Sequence, residues 1–465
     1  MADETTRLSR RELFGAAIGA ALAGTFSRPL AAQGEVLEEL VLVNGKIHTM
    51  DGNNTIAATV SIRNGRFSAV GGAAPSPRPA TRVIDLRGRT VVPGIIDNHN
   101  HIVLMGNRPG FHVPLENASS IADVQELVAA RAKAIPRTAW ITTIGGFHRN
   151  QLFAPDATPR LPTLAELDAA ARSNPVYISE SFAGPSTANS LAKAFFERQS
   201  PPIVVGDDGG IAAGPQATGR ATLALRQTLL TFEQRKRGAS EAMIYGLGLG
   251  VTTHLDQGAF QSTNTPSDGA AHEDNYTMHL PFVALRDEGK LPARLRINFL
   301  HQDTTADLPT LTERLKHSFK FFGDDMVRTG GIGEFIAGLG PTSPLTEAAK
   351  LVARAGWRAE VHSLSATDFQ QEIAAYEAAH AEFPITDLRW VVAHVPLITE
   401  PWLDRLKALG GGVSLTGWRY LAGTPEQNGP PFRMIVANGI HAGMSSRPSA
   451  ESFSRDCKSD RIAAS

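Results

Sequence analysis

The chain has 465 residues, with 45 Lys and Arg against 46 Asp and Glu, a formal net charge of −1. That balance gives no electrostatic case for nucleic acid or an anionic membrane surface as partner, and 42% hydrophobic with 20% charged residues excludes a chain too polar to bury a core. The single cysteine, Cys457, excludes an intrachain disulfide and thiolate-built clusters, so any metal must be held by carboxylates and the 14 histidines.

Ser9-Arg10-Arg11-Glu12-Leu13-Phe14 sets an arginine pair before a small-residue apolar run at 15–26. That run is too short for a bilayer, which needs about 20 apolar residues, and small residues at 27–33 suit a signal peptidase. Residues 1–33 therefore read as a twin-arginine export signal, which places the mature protein in the periplasm or outside the cell. Nothing later in the sequence is long and apolar enough for a membrane-spanning helix.

Residues 34–92 read as short strands forming the first half of a small β-sandwich. Runs at 40–43 and 46–50 flank Asn44-Gly45, and runs at 59–63 and 66–70 flank Asn64-Gly65, both hairpin signals. A third strand pair is predicted from 82–86 and 90–92.

From Pro93 strands alternate with helices. The run Val91-Val92-Pro93-Gly94-Ile95-Ile96 ends in His99 and His101, spaced so that both rings leave one face of an extended segment. Region 105–240 breaks the rhythm. It carries a helix capped by Ser120 with Asp123, Val124, Leu127 and Val128, and a second with a Thr163/Glu166 capping box. It reads as an insertion after the first barrel strand. Further strands are predicted at 251–255, 295–300, 358–362 and 388–394, with a Ser365-capped helix carrying Phe369, Ile373 and Tyr376 on one face. A helix from Pro401 to a C-terminal Gly410 follows, then an eighth strand at 438–446. The pattern predicts an α/β protein, a distorted (β/α)8 barrel over 93–446.

An isolated pair such as His99 and His101 also occurs merely hydrogen-bonded to neighbours. His362 and His394, however, each close an apolar run, and a barrel of this type gathers such strand ends on one face. His380 reads as an ordinary interface residue, and His148 and His254 as weaker candidates for substrate contact. His48, His112, His272, His279, His301 and His317 receive no role.

Pro93-Gly94-Ile95-Ile96-Asp97-x-His99-x-His101 resembles the first-strand signature of the amidohydrolase superfamily. Ile144-Gly145-Gly146-Phe147, Pro162-Thr163-x-x-x-Leu167-Asp168, Asn174-Pro175-Val176, Asn189-Ser190 and Leu249-Gly250-Val251-Thr252-Thr253 are similar to its YtcJ-like branch, amidohydrolase family 3. The resemblance implies a hydrolase of non-peptide carbon–nitrogen bonds in amides, N-acyl compounds or cyclic imides, acting through a metal-activated hydroxide. It implies one or two divalent ions, with zinc the leading metal, held by His99 and His101 on one side and His362 and His394 on the other. Glu334, in the glycine-rich run 330–338, stands where the family has its bridging ligand, and Lys320 is the alternative bridge. The implied partner is a small-molecule substrate, with no nucleic acid, no membrane once the signal is removed, and self-association allowed.

The family's proton acceptor is an Asp closing the eighth strand, and here Arg447 follows Ser446. The catalytic acceptor is therefore unassigned. Residues 447–465 lack periodicity and read as an aberrant tail, as from truncation or a frameshift. Two other readings stand beside the hydrolase: an inactive remnant of that family, and a periplasmic metal- or solute-binding protein.

Overall fold

The computed structural model describes residues 39–73, 81–106, 108–153, 158–181, 183–258, 277–338, 340, 342–417, 420 and 429–444. The export signal, Trp418, Ser446, Arg447 and the tail 447–465 lie outside the described residues. The chain divides into two units, 1–93 and 94–465.

The first unit holds β1 (Glu39–Val43), β2 (Lys46–His48), β3 (Ile56–Ala57), β4 (Val60–Arg63), β5 (Arg66–Val70), β6 (Thr81–Asp85) and β7 (Thr90–Val91). They form one sheet in the order β5-β4-β1-β6 and another in the order β3-β2-β7, over a core of Ile47, Ala57, Val60 and Leu86. Asn64-Gly65 closes the predicted hairpin: φ is 52° and 71°, and Arg63 faces Arg66 across an antiparallel pair.

Asn44-Gly45 does not close one. A two-residue hairpin turn of this kind needs positive φ at both positions, and only Asn44 has it, at 55°. The chain instead turns a corner from one sheet to the other, with β1 paired to β4 and β2 to β3. Leu86 closes over Gly45, where a Cβ would lie 2.3 Å from Leu86 Cδ1 and force that side chain to move. The predicted third pair fails likewise: β6 runs parallel to β1, and β7 parallel to β2.

The second unit begins with β8 (Ile95–Asn100). Five short strands follow, β9 (Phe111–His112), β10 (Ile141–Ile144), β11 (Val176–Ser179), β12 (Ser186–Ala188) and β13 (Gly210–Ile211), in a sheet of their own ordered β13-β12-β11-β10-β9. Its helices are capped by Ser120 and by the Thr163/Glu166 box, with Val124 and Val128 buried and Leu127 turned outward. The helix Phe232–Gly248, capped by Thr231, packs on the helix Ile102–Gly106 and leads into the next barrel strand. The inserted segment therefore ends before Phe232, and the sequence boundary at 240 cuts a helix that belongs to the barrel.

The remaining strands are β14 (Val251–Asp256), β15 (Arg294–Phe299), β16 (Val327–Ile332), β17 (Glu360–Ser363), β18 (Val391–His394), β19 (Gly412–Leu415) and β20 (His441–Met444). Two parallel four-stranded sheets, β16-β15-β14-β8 and β17-β18-β19-β20, are joined by a parallel bridge between Ile332 and Ala359. At the other edge β20 lies beside β8, where a Cβ on Gly443 would sit 1.6 Å from Asn98 Nδ2. Helices Leu280–Asp287, Pro309–His317, Leu345–Arg354, Ala366–Glu382, Glu400–Ala408 and Phe432–Asn438 separate the strands. The eight strands and their helices make the (β/α)8 arrangement. The Ser365 capping box forms, and Phe369, Ile373 and Tyr376 are fully buried against Trp390 and the strands. Gly410 sits just past the Glu400–Ala408 helix with φ 71°.

Candidate metal centre

Parallel strands with right-handed crossovers put all C-terminal ends at one mouth. His99 lies in β8 and His101 just beyond it, Glu334 follows β16, His362 lies in β17, and His394 ends β18. All five side chains meet around the Glu334 carboxylate.

Glu334 is fully buried. Its Oε2 lies 3.2 Å from His99 Nε2, 3.0 Å from His362 Nδ1 and 3.0 Å from His394 Nε2. Its Oε1 lies 3.0 Å from His101 Nε2. The carboxylate thus turns one oxygen to three histidines and the other to the fourth. Ligand atoms of His99, Glu334 and His394 all fall within 4.8 Å of one another, close enough to share one ion.

Burial alone would raise the Glu334 carboxyl, but the charge of His101 and the bonds from His101, His362 and His394 hold it well below the usual range. Burial alone would lower His99, yet bonds to Glu334 and Glu360 outweigh it and raise the imidazole to about 9. A buried anion surrounded by imidazoles demands a positive charge beside it. A divalent ion suits the same need. His99 Nε2 points at the Glu334 carboxylate from 3.2 Å, as a ligand nitrogen would. The donor set of nitrogen and carboxylate oxygen fits a zinc-type site.

The opposite ring nitrogens are tied down. His99 Nδ1 donates to Glu360 Oε1 at 2.6 Å, His101 Nδ1 to the Gly258 carbonyl at 2.8 Å, and His394 Nδ1 meets Thr416 Oγ1 at 2.9 Å. The carboxylate and carbonyl acceptors fix Nδ1–H on His99 and His101, and all three partners orient their rings with Nε2 toward the centre. His394 has φ 70° and Val395 φ 39°, a left-handed bend costly for a β-branched residue, and it turns the end of β18 at the site.

The sequence profile of the amidohydrolase family matches residues 82–451. The chain belongs to the amidohydrolase family. It is 31% identical over 163 residues to an N-substituted formamide deformylase of Arthrobacter pascens, covering 34% of this chain and 29% of that protein. It is 27% identical over 239 residues to the protein LONG AFTER FAR-RED 3 of Arabidopsis thaliana, covering 48% and 39%. Each match thus spans less than half of the relative's length. The crystal structure of an uncharacterized metal-dependent hydrolase from Pyrococcus furiosus shares the fold, with a TM-score of 0.57 at 19% identity, covering 88% of this chain and 85% of that one.

Other residues of this amidohydrolase fall elsewhere. Lys320 lies before β16, at the opposite end of that strand from Glu334, and donates from Nζ to the Gly356 carbonyl; it is no alternative bridge. His254 packs against Gly246 of the helix Phe232–Gly248, Asn100 Nδ2 lies 3.1 Å from its Nδ1, and burial lowers it to about 4. It is a neutral core histidine and does not face the cluster. His148 caps the short turn Arg149–Gln151, and His380 Nδ1 accepts from Ile385 N. Sequence reasoning missed Glu360, Asp256 and Thr416. Glu360 had one signal: a carboxylate inside an apolar strand, two residues before His362 and so on the same face.

Proposed function

We propose that this amidohydrolase is a metal-dependent hydrolase of carbon–nitrogen bonds other than peptide bonds, acting on amides, N-acyl compounds or cyclic imides. The observation that carries the reading is the fully buried Glu334 carboxylate with His99, His101, His362 and His394 within 3.2 Å of it. Those five residues would hold one or two divalent ions, and zinc suits imidazole and carboxylate donors. Such an ion supplies Lewis acidity and lowers the pKa of water to about 7. Glu360 and the Gly258 carbonyl hold His99 and His101 with Nδ1 protonated, Thr416 orients the His394 ring, and burial keeps bulk water from screening the site. The deformylase relative supports N-formyl compounds as the first substrates to try.

A second reading, metal retention without turnover, is favoured by Arg447, which stands where the family's proton-accepting Asp is expected. Hydrolysis of a panel of N-formyl amines, N-acyl amines and cyclic imides decides. Under the first reading the full chain turns over at least one class, chelation abolishes the rate and zinc restores it. Zinc binding with turnover only in R447D supports the second. The segment 9–33 supports export by the twin-arginine route. A double R10K/R11K substitution should keep the protein in the cytoplasm, and unchanged export would contradict that.

A further inference from the structure

β14 ends in Asp256, a fully buried carboxylate outside the histidine cluster. Its Oδ1 accepts the backbone N–H of Val103 at 3.0 Å. Its Oδ2 accepts the N–H of Gly258 at 3.0 Å and Nε2–H of His279 at 2.7 Å. Val103 lies two residues after His101, in the helix Ile102–Gly106. Gly258 carries the carbonyl that accepts from His101 Nδ1. One carboxylate therefore grips both stretches of backbone that hold the His101 imidazole, the chain just after it and the acceptor beneath it.

The surroundings make this grip specific. Gly258 has φ 76°, a left-handed conformation that turns its carbonyl back toward β8 and that other residues enter at a cost. The Gln257 N–H donates to the Asn100 carbonyl at 2.8 Å, so 256–258 is laced to the residues flanking His101. His279 sits at the start of the helix Leu280–Asp287, so that helix is anchored at the same carboxylate. Without Asp256 nothing described pins the Gly258 N–H, and the carbonyl that sets the His101 tautomer loses its fixed direction.

We propose that Asp256, with His279, is a positioning residue for the metal centre: it fixes the Gly258 carbonyl and through it holds His101 with Nδ1 protonated and Nε2 aimed at Glu334. The proposal rests on the metal-centre reading above. It differs from the direct contacts of Glu360 and Thr416 because it acts through two backbone segments and not through the ring itself.

Zinc alone is the probe. Affinity is measured on the full chain by competition with a chromophoric chelator, and the cobalt-loaded protein is compared by its ligand-field absorption. The control is D303N: Asp303 is a buried carboxylate of the same mouth that accepts Leu311 N and Thr310 Oγ1, both at 2.9 Å, with no link to the four histidines. Expected for D256N is a zinc affinity about 10- to 100-fold weaker and an altered cobalt spectrum, the size typical of lost outer partners. D303N should lower the melting temperature while leaving zinc affinity and the cobalt spectrum unchanged. Should D256N fail to fold, H279A decides, with a smaller loss of affinity in the same direction. Zinc binding unchanged in D256N, or in H279A where that is the foldable variant, overturns the proposal, as does an equal loss in D303N. Wild-type protein that binds no zinc would instead overturn the metal-centre reading itself.

Discussion

Replacing Glu360 by Gln removes one negative charge from behind His99 while keeping shape and an acceptor oxygen. In the wild type the His99 Nδ1–Glu360 Oε1 bond is 2.6 Å long between two fully buried side chains, and Arg358 Nη2 lies 3.5 Å from the other oxygen. A bond to a charged acceptor contributes about 1.5–3 kcal/mol, and a neutral one about 0.5–1.5 kcal/mol. The difference, about 1–2 kcal/mol, is the basicity that Glu360 lends to His99 as a ligand. Since every 1.4 kcal/mol is tenfold, E360Q should weaken zinc binding about 5- to 30-fold. Equilibrium competition with a chelator at fixed pH measures it, and E360A should lose more because no acceptor remains. Affinity unchanged or tighter in E360Q would refute the claim that this carboxylate supports a ligand.

Glu372 offers the opposite case: burial raises its carboxyl well above the usual range, more than the Ser363 hydroxyl lowers it, so the fold favours its neutral form. Its stabilisation is then fullest below the unfolded value and falls as pH rises, so E372Q should gain on the wild type from pH 5 to pH 8 in urea unfolding, and a constant difference would contradict this. Glu166 is held to about 2, first by its Arg160 bond, so its contribution should be intact above pH 4.5 and fade toward pH 2, readable as a wild-type minus E166Q difference. S365A removes the cap of the helix Ala366–Glu382, and a loss of about 1 kcal/mol is expected in the same assay. G410A should destabilise by more, because a Cβ there would lie 2.3 Å from the Thr386 carbonyl oxygen on a backbone at φ 71°.

Local rules carried the barrel well. Apolar runs closing on His362 and His394 became β17 and β18, and the capping boxes at Ser365 and Thr163 marked helix starts because both signals are contained within a few residues. Glu334 was nominated through the family resemblance and not by any local signal, and the structure brings its carboxylate among the histidines. What escaped depends on contacts distant in sequence. Glu360 meets His99 across 261 residues, and Asp256 reaches Val103 across 153. Neither partner carries a local mark of the other. Asn44-Gly45 misled for a similar reason. The dipeptide marks a turn, but which strands pair is set beyond it, β1 with β4 and β2 with β3, so the turn joins two sheets and not two neighbours in one.

The most direct test of the account is the metal content of the purified full chain, determined by inductively coupled plasma mass spectrometry after zinc loading and removal of loose ions, with H99A, E334A and H394A alongside. The account predicts one to two zinc equivalents in the wild type, retained through gel filtration, and a loss of at least the shared ion in each variant, since His99, Glu334 and His394 bring their ligand atoms within 4.8 Å of one another. Wild-type protein that retains no metal, or variants that retain as much as the wild type, would contradict it.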